Sequence, residues 1–364
     1  MKMGKKNFSP RFLATGVGSL PHSDVQRACE VIAYNLPEIP FWPQLSNHSA
    51  LESMNVQVSP GLPFLRVDET KGEVHFDSTL DEAKELEKVY RFHLAGEIDH
   101  YRLPSSYAGG FEGMIKYLQE TQPSPLRFFK GQIVGPITFG LAVQDGQGKN
   151  VIHNEVAFDA LVRGLLLRGR WIIERMKAVC QEVILFIDEP ALSGYGSAFF
   201  SVDARTISNR LNEAIEAFQA QGARVGVHCC GNTDWSLLLK TEADIIHFDA
   251  YGFFERFSLY PEALEAFLHR GGVLAWGIVP TAEFTGKETA ESLMERLEKG
   301  FADLTKKGIG REILPERCLL TPSCGMGLMS VENSERAMGL LAEISKRMRE
   351  KYFTAENAEG AEKE

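Results

Sequence analysis

Long apolar runs are missing from this sequence, and no stretch approaches the roughly 18 residues that a membrane-spanning helix needs. The first residues also lack the apolar core of a secretory signal. The net charge is -10, and no cluster of Lys and Arg stands out beyond the short KMGKK near the N-terminus. The electrostatic signature of a nucleic-acid-binding protein is therefore missing. We expect a cytoplasmic protein with neither a membrane nor a nucleic acid as partner.

Cysteine is also sparse, with six residues in a chain of 364. That number is too small for a disulfide scaffold, and grouped cysteines in a reducing compartment favour metal or redox chemistry. Cys29, Cys180 and Cys318 stand alone in the sequence and are expected to be packing residues. The composition, 44% hydrophobic and 24% charged, is typical of a globular protein that can bury a full core.

Eight short apolar or β-branched runs end in Gly, Pro, Asp or Asn, and segments with helical periodicity follow most of them. The runs occupy residues 11–19, 38–45, 126–135, 182–190, 223–231, 243–252, 272–280 and 317–325. Strand followed by helix, repeated eight times, predicts an α/β fold of the TIM (β/α)8 barrel type. We expect residues 1–350 to form this barrel as one domain.

One connection departs from the repeat. Residues 46–125, between the second and third predicted strands, contain a predicted hairpin (62–77) and a predicted helix (78–97). We expect this insertion to form a cap or a flank of the barrel. Residues 351–364 are acidic and poor in apolar side chains, so they are predicted to be a disordered tail.

The stretch VGVHCCGNTDW places His228, Cys229 and Cys230 side by side at the end of the fifth predicted strand. Because side chains alternate along a strand, His228 and Cys230 point the same way and Cys229 points opposite. Asp249 ends the sixth strand, and Cys324 lies in a glycine-rich bend after the eighth. Parallel barrels build their sites at these strand ends. One imidazole, two thiolates and a carboxylate or a substrate atom suit zinc better than magnesium or calcium.

The donor set also limits the chemistry. Two cysteinate ligands leave zinc electron-rich, so a bound sulfur stays nucleophilic and alkyl transfer to sulfur is favoured over hydrolysis. His228, Cys230 and Cys324 are accordingly the predicted catalytic group. A non-catalytic zinc site, closed by four protein ligands, is the alternative from another class.

Four motifs then carry a resemblance. They are GVGSLPHS (16–23), IDEPAL (187–192), HCCGN (228–232) and TPSCG (321–325). In this order they resemble the catalytic barrel of cobalamin-independent methionine synthase, over roughly residues 11–345. The resemblance implies that His228, Cys230, Asp249 and Cys324 hold zinc, with Asp249 standing where the family has Glu.

The resemblance further implies a zinc-dependent methyltransferase that converts homocysteine to methionine. Asp188 would bind the amino group of homocysteine, and Gly18 and Ser19 would bind its carboxylate. Glu189 lies next to Asp188 and is predicted either to belong to the substrate site or to cap a helix.

The methyl donor stays open between a methylcorrinoid and methyltetrahydrofolate. Full-length family enzymes carry a second barrel that helps to grip polyglutamylated folate, and this chain has one predicted barrel. HCCGNT also resembles the methylcobamide:coenzyme M methyltransferases, relatives of uroporphyrinogen decarboxylase that take methyl from a corrinoid protein. A coenzyme M-type thiol methyltransferase and a uroporphyrinogen decarboxylase-like enzyme are the alternatives. Methylcobalamin would arrive free or on a corrinoid protein. Phe41 and Trp42 are predicted to lie either near the rim of the barrel, where a corrinoid would enter, or in the core.

Overall fold

A computed structural model describes residues 8–198 and 200–354 of the chain. Within these residues the strands form a two-stranded antiparallel hairpin and one curled parallel sheet of six strands. The hairpin strands are β1 (Leu65–Asp68) and β2 (Glu73–Phe76). The parallel strands, in their order across the sheet, are β3 (Phe129–Val134), β4 (Val183–Asp188), β5 (Arg224–Cys229), β6 (Ile245–Phe248), β7 (Val273–Val279) and β8 (Cys318–Pro322).

Helices connect the strands, and many of them begin at an Asp, Asn, Ser or Thr whose side chain accepts a backbone N–H of the first turn. The described helices are α1 (Val25–Asn35), α2 (Met54–Val58), α3 (Glu82–Ala95), α4 (Gly109–Thr121), α5 (Pro136–Ala142), α6 (Glu155–Lys177), α7 (Ala204–Ala220), α8 (Trp235–Leu239), α9 (Ala250–Phe257), α10 (Pro261–His269), α11 (Ala290–Lys306), α12 (Ile313–Glu316) and α13 (Val331–Phe353).

The concave face of the curled sheet changes from apolar to polar along the strands. Near the amino ends, the inward side chains form a small separate core that includes Ile184, Phe186, Ile245, Ala275 and Leu319. By the two-residue alternation of a strand, the inward positions at the carboxyl ends are Asp188, His228 and His247. The outward side chains join the main core beneath the helices. Apolar packing therefore closes one end of the concave face and leaves the polar groups at the other.

Six of the eight predicted strands are confirmed. The two remaining segments carry isolated bridges, Ala14 to Leu320 of β8 and Phe41 to Lys130 of β3. Between the two segments, the N–H of Gln44 donates to the carbonyl of Gly18 at 3.0 Å. Backbone hydrogen bonds therefore link both edges of the parallel sheet through these segments.

Proline explains why the second of these segments forms no long ladder. Pro40 and Pro43 lack the N–H that a regular strand donates, and they flank Phe41 and Trp42. Phe41 and Trp42 are fully buried, and the Trp42 ring centroid lies 4.6 Å from that of Phe111. Their predicted position near an entrance is wrong, and the core position is confirmed.

The 46–125 insertion flanks the sheet. Its predicted hairpin is confirmed as β1 and β2, and its predicted helix is confirmed as α3. Helix α3 packs on α6, and α4 packs on α1. These contacts place α3 and α4 in the outer helical layer.

The chain's last described helix, α13, runs three residues into the predicted tail, which began at residue 351. Residues 355–364 of that predicted tail lie outside the described residues. No helix in the described part of the chain is both long and apolar enough to cross a membrane.

Candidate metal centre

Three predicted ligands meet at the carboxyl ends of the strands. His228 is the penultimate residue of β5, Cys230 directly follows β5, and Cys324 lies two residues after β8. One donor atom from each of the three lies within 4.8 Å of the others. Residues 228 and 324 are far apart in sequence, so it is the curl of the sheet that brings them together. The sequence prediction that these three side chains converge is confirmed.

His228 is buried and contacts a second histidine. Its Nδ1 lies 2.5 Å from Nδ1 of His247, and Nε2 of His247 lies 3.2 Å from the carbonyl oxygen of Pro322. Burial, with His247 and Lys130 nearby, holds the pKa of His228 well below its ordinary value. A neutral imidazole is the form that binds a metal.

The two thiols lie next to each other and are only partly buried. The sulfur of Cys324 lies within 4.8 Å of the sulfur of Cys230, and its proximity lowers the pKa of the Cys230 thiol. The same contact, with burial, raises the pKa of Cys324. Cys230 therefore loses its proton more easily than Cys324, and a thiolate is the form of cysteine that binds a metal.

The donor set fits zinc. Tetrahedral zinc with nitrogen and sulfur ligands separates the ligand atoms by roughly 3.3–3.8 Å, and the three donors here lie within 4.8 Å of one another. Sulfur ligands do not suit magnesium or calcium, which bind through oxygen. Three protein ligands would leave a fourth position for another atom.

Asp249 is the predicted ligand that the structure does not bring into this group. It precedes α9 as the N-cap, and its Oδ1 accepts the N–H of Gly252 at 2.7 Å. Burial raises the pKa of Asp249 to about 6. The role of Asp249 as a fourth ligand stays a prediction.

Asp188 ends β4 and is the register partner of His228 in β5. It is only 8% exposed, and its Oδ1 has no hydrogen-bond partner among the described residues. Burial raises the pKa of Asp188 to about 7, while the ammonium of Lys130 acts in the opposite direction. A buried carboxylate oxygen without a partner is costly. It is therefore a suitable place for a ligand that donates hydrogen bonds.

Lys130 was not identified from the sequence. It is fully buried in β3, where its Nζ donates to the carbonyl of Val17 and to Gln132 Oε1, the latter at 3.0 Å. Nζ also lies 4.6 Å from the centroid of the Phe186 ring. Burial lowers the pKa of Lys130 to about 7, against the effect of Asp188. The sequence feature that could have identified Lys130 is the pair of polar residues, Lys130 and Gln132, two positions apart in an otherwise apolar strand.

Ser19 connects the first segment to the turn that carries Cys324. The N–H of Gly327 donates to Ser19 Oγ at 3.3 Å. A Cβ atom on Gly325 would collide with this same hydroxyl, so the turn needs glycine there. The hydroxyl hydrogen of Ser19 is not used in the bond from Gly327. Binding of a substrate carboxylate by Gly18 and Ser19 stays a prediction.

Glu189 is fully buried, and its carboxylate holds the start of helix α5. Its oxygens accept the N–H of Ile137 at 3.0 Å, the N–H of Thr138 at 2.7 Å and the hydroxyl of Thr138 at 2.6 Å. Burial raises the pKa of Glu189 to about 7, although these donors favour the ionised form. The contacts support the helix-capping interpretation, and a substrate role for Glu189 stays a prediction.

We expect Glu189→Ala to lower the free energy of unfolding by about 1–3 kcal/mol, because it leaves the buried donors at Ile137 and Thr138 without an acceptor. Urea unfolding measures this, with Glu216→Ala on the exposed face of α7 as the matched control. Zinc content should stay unchanged. Wild-type stability together with weaker substrate binding would instead place Glu189 in the substrate site.

Comparisons with known proteins add little to this geometry. No protein-family model matches the sequence, and a search of curated proteins found no match. Among solved structures, the chain is similar to a B12-independent methionine synthase from Shewanella sp. W3-18-1 in complex with selenomethionine, at 17% identity and a TM-score of 0.46. The match covers 65% of this chain and 66% of that one, just under two thirds of its length.

A second similar structure is the β-glycosidase from the hyperthermophile Thermosphaera aggregans. Its identity is 11% and its TM-score 0.33, over 89% of this chain and 85% of that one. With both TM-scores below 0.5, neither likeness supports an argument about fold or function. The functional conclusion therefore depends on the residues of the site.

Proposed function

We propose that this chain is a zinc-dependent methyltransferase that methylates a thiol, with homocysteine as acceptor and methionine as product. One observation carries the proposal: the His228, Cys230 and Cys324 donors converge at the strand ends where Asp188 presents an unpartnered, buried carboxylate oxygen. The first group suits a thiol through a metal, and the second suits an ammonium. Homocysteine carries both groups on one short chain.

When bound, a zinc ion supplies a Lewis acid that lowers the pKa of a thiol and, with two thiolate ligands, keeps the sulfur nucleophilic. The chain's own residues bind and orient the substrate. Asp188 accepts hydrogen bonds from the substrate ammonium at the end of β4. Ser19 offers its hydroxyl hydrogen to the substrate carboxylate from the first segment, beside the turn that carries Cys324.

Lys130 stabilises the position of the first segment, which carries Ser19. Its ammonium binds the carbonyl of Val17 and the side chain of Gln132, so it holds the end of the first segment against β3. We infer that this segment and the one around Phe41 act as the first two strands of an eight-stranded barrel. Their bridges to β8 and β3 support that inference.

For the methyl donor we propose a methylcorrinoid, free or carried by a corrinoid protein. A net charge of -10 is unfavourable for the polyanionic glutamate tail of methyltetrahydrofolate. The S–CH3 bond would form as the Co–CH3 bond breaks, with its electron pair left on cobalt and the thiol proton released.

Two other activities fit the site less well. A coenzyme M-type substrate carries a sulfonate and no amine, so Asp188 would have no partner. A uroporphyrinogen decarboxylase-like enzyme needs cations for substrate carboxylates. Arg11, at the start of the first segment, pairs with Glu316 at 2.8 Å, and Glu316 lies before the amino end of β8, at the opposite end of the sheet from the site.

We expect zinc-loaded protein, homocysteine and methylcobalamin, mixed without oxygen, to yield methionine as the methylcobalamin absorption changes to that of cob(I)alamin. A parallel reaction offers methyltetrahydrofolate, and Cys230→Ser serves as the inactive control. Turnover with methyltetrahydrofolate alone would overturn the proposed donor. Absence of methionine with either donor, and with a methylated corrinoid protein, would overturn the proposed function.

A further inference from the structure

We propose that His247 is a positioning residue of the metal centre: it fixes the tautomer of His228 and connects it to the strand that carries Cys324. The inference rests on the metal site within the proposed function, and it does not depend on the methyl donor or acceptor. His247 is not one of the three donors that converge.

The hydrogen bonds of His247 define which nitrogen carries the hydrogen. Its Nε2 faces the carbonyl oxygen of Pro322 at 3.2 Å, and a carbonyl can only accept. Nε2 of His247 must therefore carry a hydrogen. In a neutral imidazole the other nitrogen is then an acceptor. The neutral form is the one expected here, because His247 is fully buried and burial disfavours a charged imidazole.

The acceptor nitrogen of His247, Nδ1, determines the tautomer of His228. The two Nδ1 atoms lie 2.5 Å apart, so Nδ1 of His228 has to be the donor. Its Nε2 then has a free lone pair and no hydrogen. An outer residue that bonds one nitrogen of a histidine in this way directs the other nitrogen to the metal.

His247 also connects strands that are not neighbours. It is the register partner of His228 on the adjacent strand, and its ring centroid lies 4.4 Å from that of His228. Pro322 ends β8, on the far side of β7, and stands two residues before Cys324. The imidazole therefore spans the concave face between the strand of one ligand and the strand of another.

Imidazole is well suited to this position because it offers an acceptor and a donor at once. Among the described residues, His247 is packed against the ring of Phe186, with centroids 6.1 Å apart. A leucine at position 247 would fill a similar volume but leave Nδ1 of His228 and the carbonyl of Pro322 without partners. An asparagine would keep an oxygen near the place of the lost Nδ1, although it cannot reach Pro322.

The test compares His247→Leu with His247→Asn. We expect His247→Leu to weaken zinc binding by about 10- to 100-fold, the usual cost of losing an outer-shell partner. His247→Asn should stay within a few-fold of wild type, because it restores the acceptor for His228. Competition with a chromophoric chelator gives the dissociation constants, and circular dichroism checks folding.

A second readout uses metal-free protein. Nitrogen-15 NMR of the histidine rings should show His228 with its hydrogen on Nδ1 in the wild type and in His247→Asn, and a shift toward the Nε2–H form in His247→Leu. Wild-type protein with the hydrogen of His228 on Nε2 would overturn the inference, even if His247→Leu fails to fold. So would an unchanged tautomer in His247→Leu, whatever its zinc affinity. Failure of methyl transfer would leave both readouts unaffected.

Discussion

Replacing Cys230 or Cys324 by serine is expected to remove zinc from the purified protein while the chain stays folded. Each change takes away one of three converging donors, and a serine hydroxyl is a poor ligand for zinc. Zinc affinity should fall at least about 100-fold, since even the loss of an outer-shell partner costs up to that much. Metal content, measured by plasma emission after dialysis, should drop from about one zinc per chain to near zero.

The matched control is Cys180→Ser. Cys180 lies three residues before β4, near the carbonyls of Arg127 and Glu182, and is not one of the three donors. This variant should keep its zinc and its unfolding midpoint. Full zinc content in both Cys230→Ser and Cys324→Ser would show that these cysteines are not ligands.

Asp188→Asn is expected to weaken homocysteine far more than 4-mercaptobutyrate, the same thiol without the amine. Only homocysteine loses a charge-assisted hydrogen bond, worth about 1.5–3 kcal/mol or roughly 10- to 150-fold in binding. Dissociation constants of zinc-loaded protein for the two thiols, measured by isothermal titration, give the ratio directly.

The amine-free thiol is the internal control, because it shares the sulfur and the carboxylate with homocysteine. Any general damage to the site by Asp188→Asn should weaken both thiols equally. Equal losses would therefore remove Asp188 from amine recognition. The same result would favour a thiol acceptor that lacks an amine.

The repeat of apolar runs predicted the parallel strands because every buried parallel strand is a short apolar stretch with a sharp end. It could not predict that the first two would be reduced to isolated bridges. Pro40 and Pro43 explain this for the second of them, since each removes a backbone N–H donor, but the effect depends on which sheet edge the segment meets. The hairpin and α3 in the insertion were predictable from local pattern alone.

The metal group was predictable for a different reason. Strand alternation places His228 and Cys230 on one side, and strand ends of a parallel sheet meet at one edge. Asp249 was harder, because a carboxylate at a strand end can equally cap the next helix, as it does for α9. Lys130 and His247 could not be assigned, since their roles depend on the register between strands and on contacts across the curled sheet.

X-ray absorption spectroscopy at the zinc K-edge tests the metal centre most directly, because it gives the number of sulfur and nitrogen atoms bound to the ion. The zinc protein should show two sulfur ligands and at least one imidazole nitrogen, and added homocysteine should raise the sulfur count to three. A closed site would keep the same ligands with and without homocysteine. A sulfur count that stays at two, or a shell of nitrogen and oxygen alone, would contradict a thiol-methylating zinc centre.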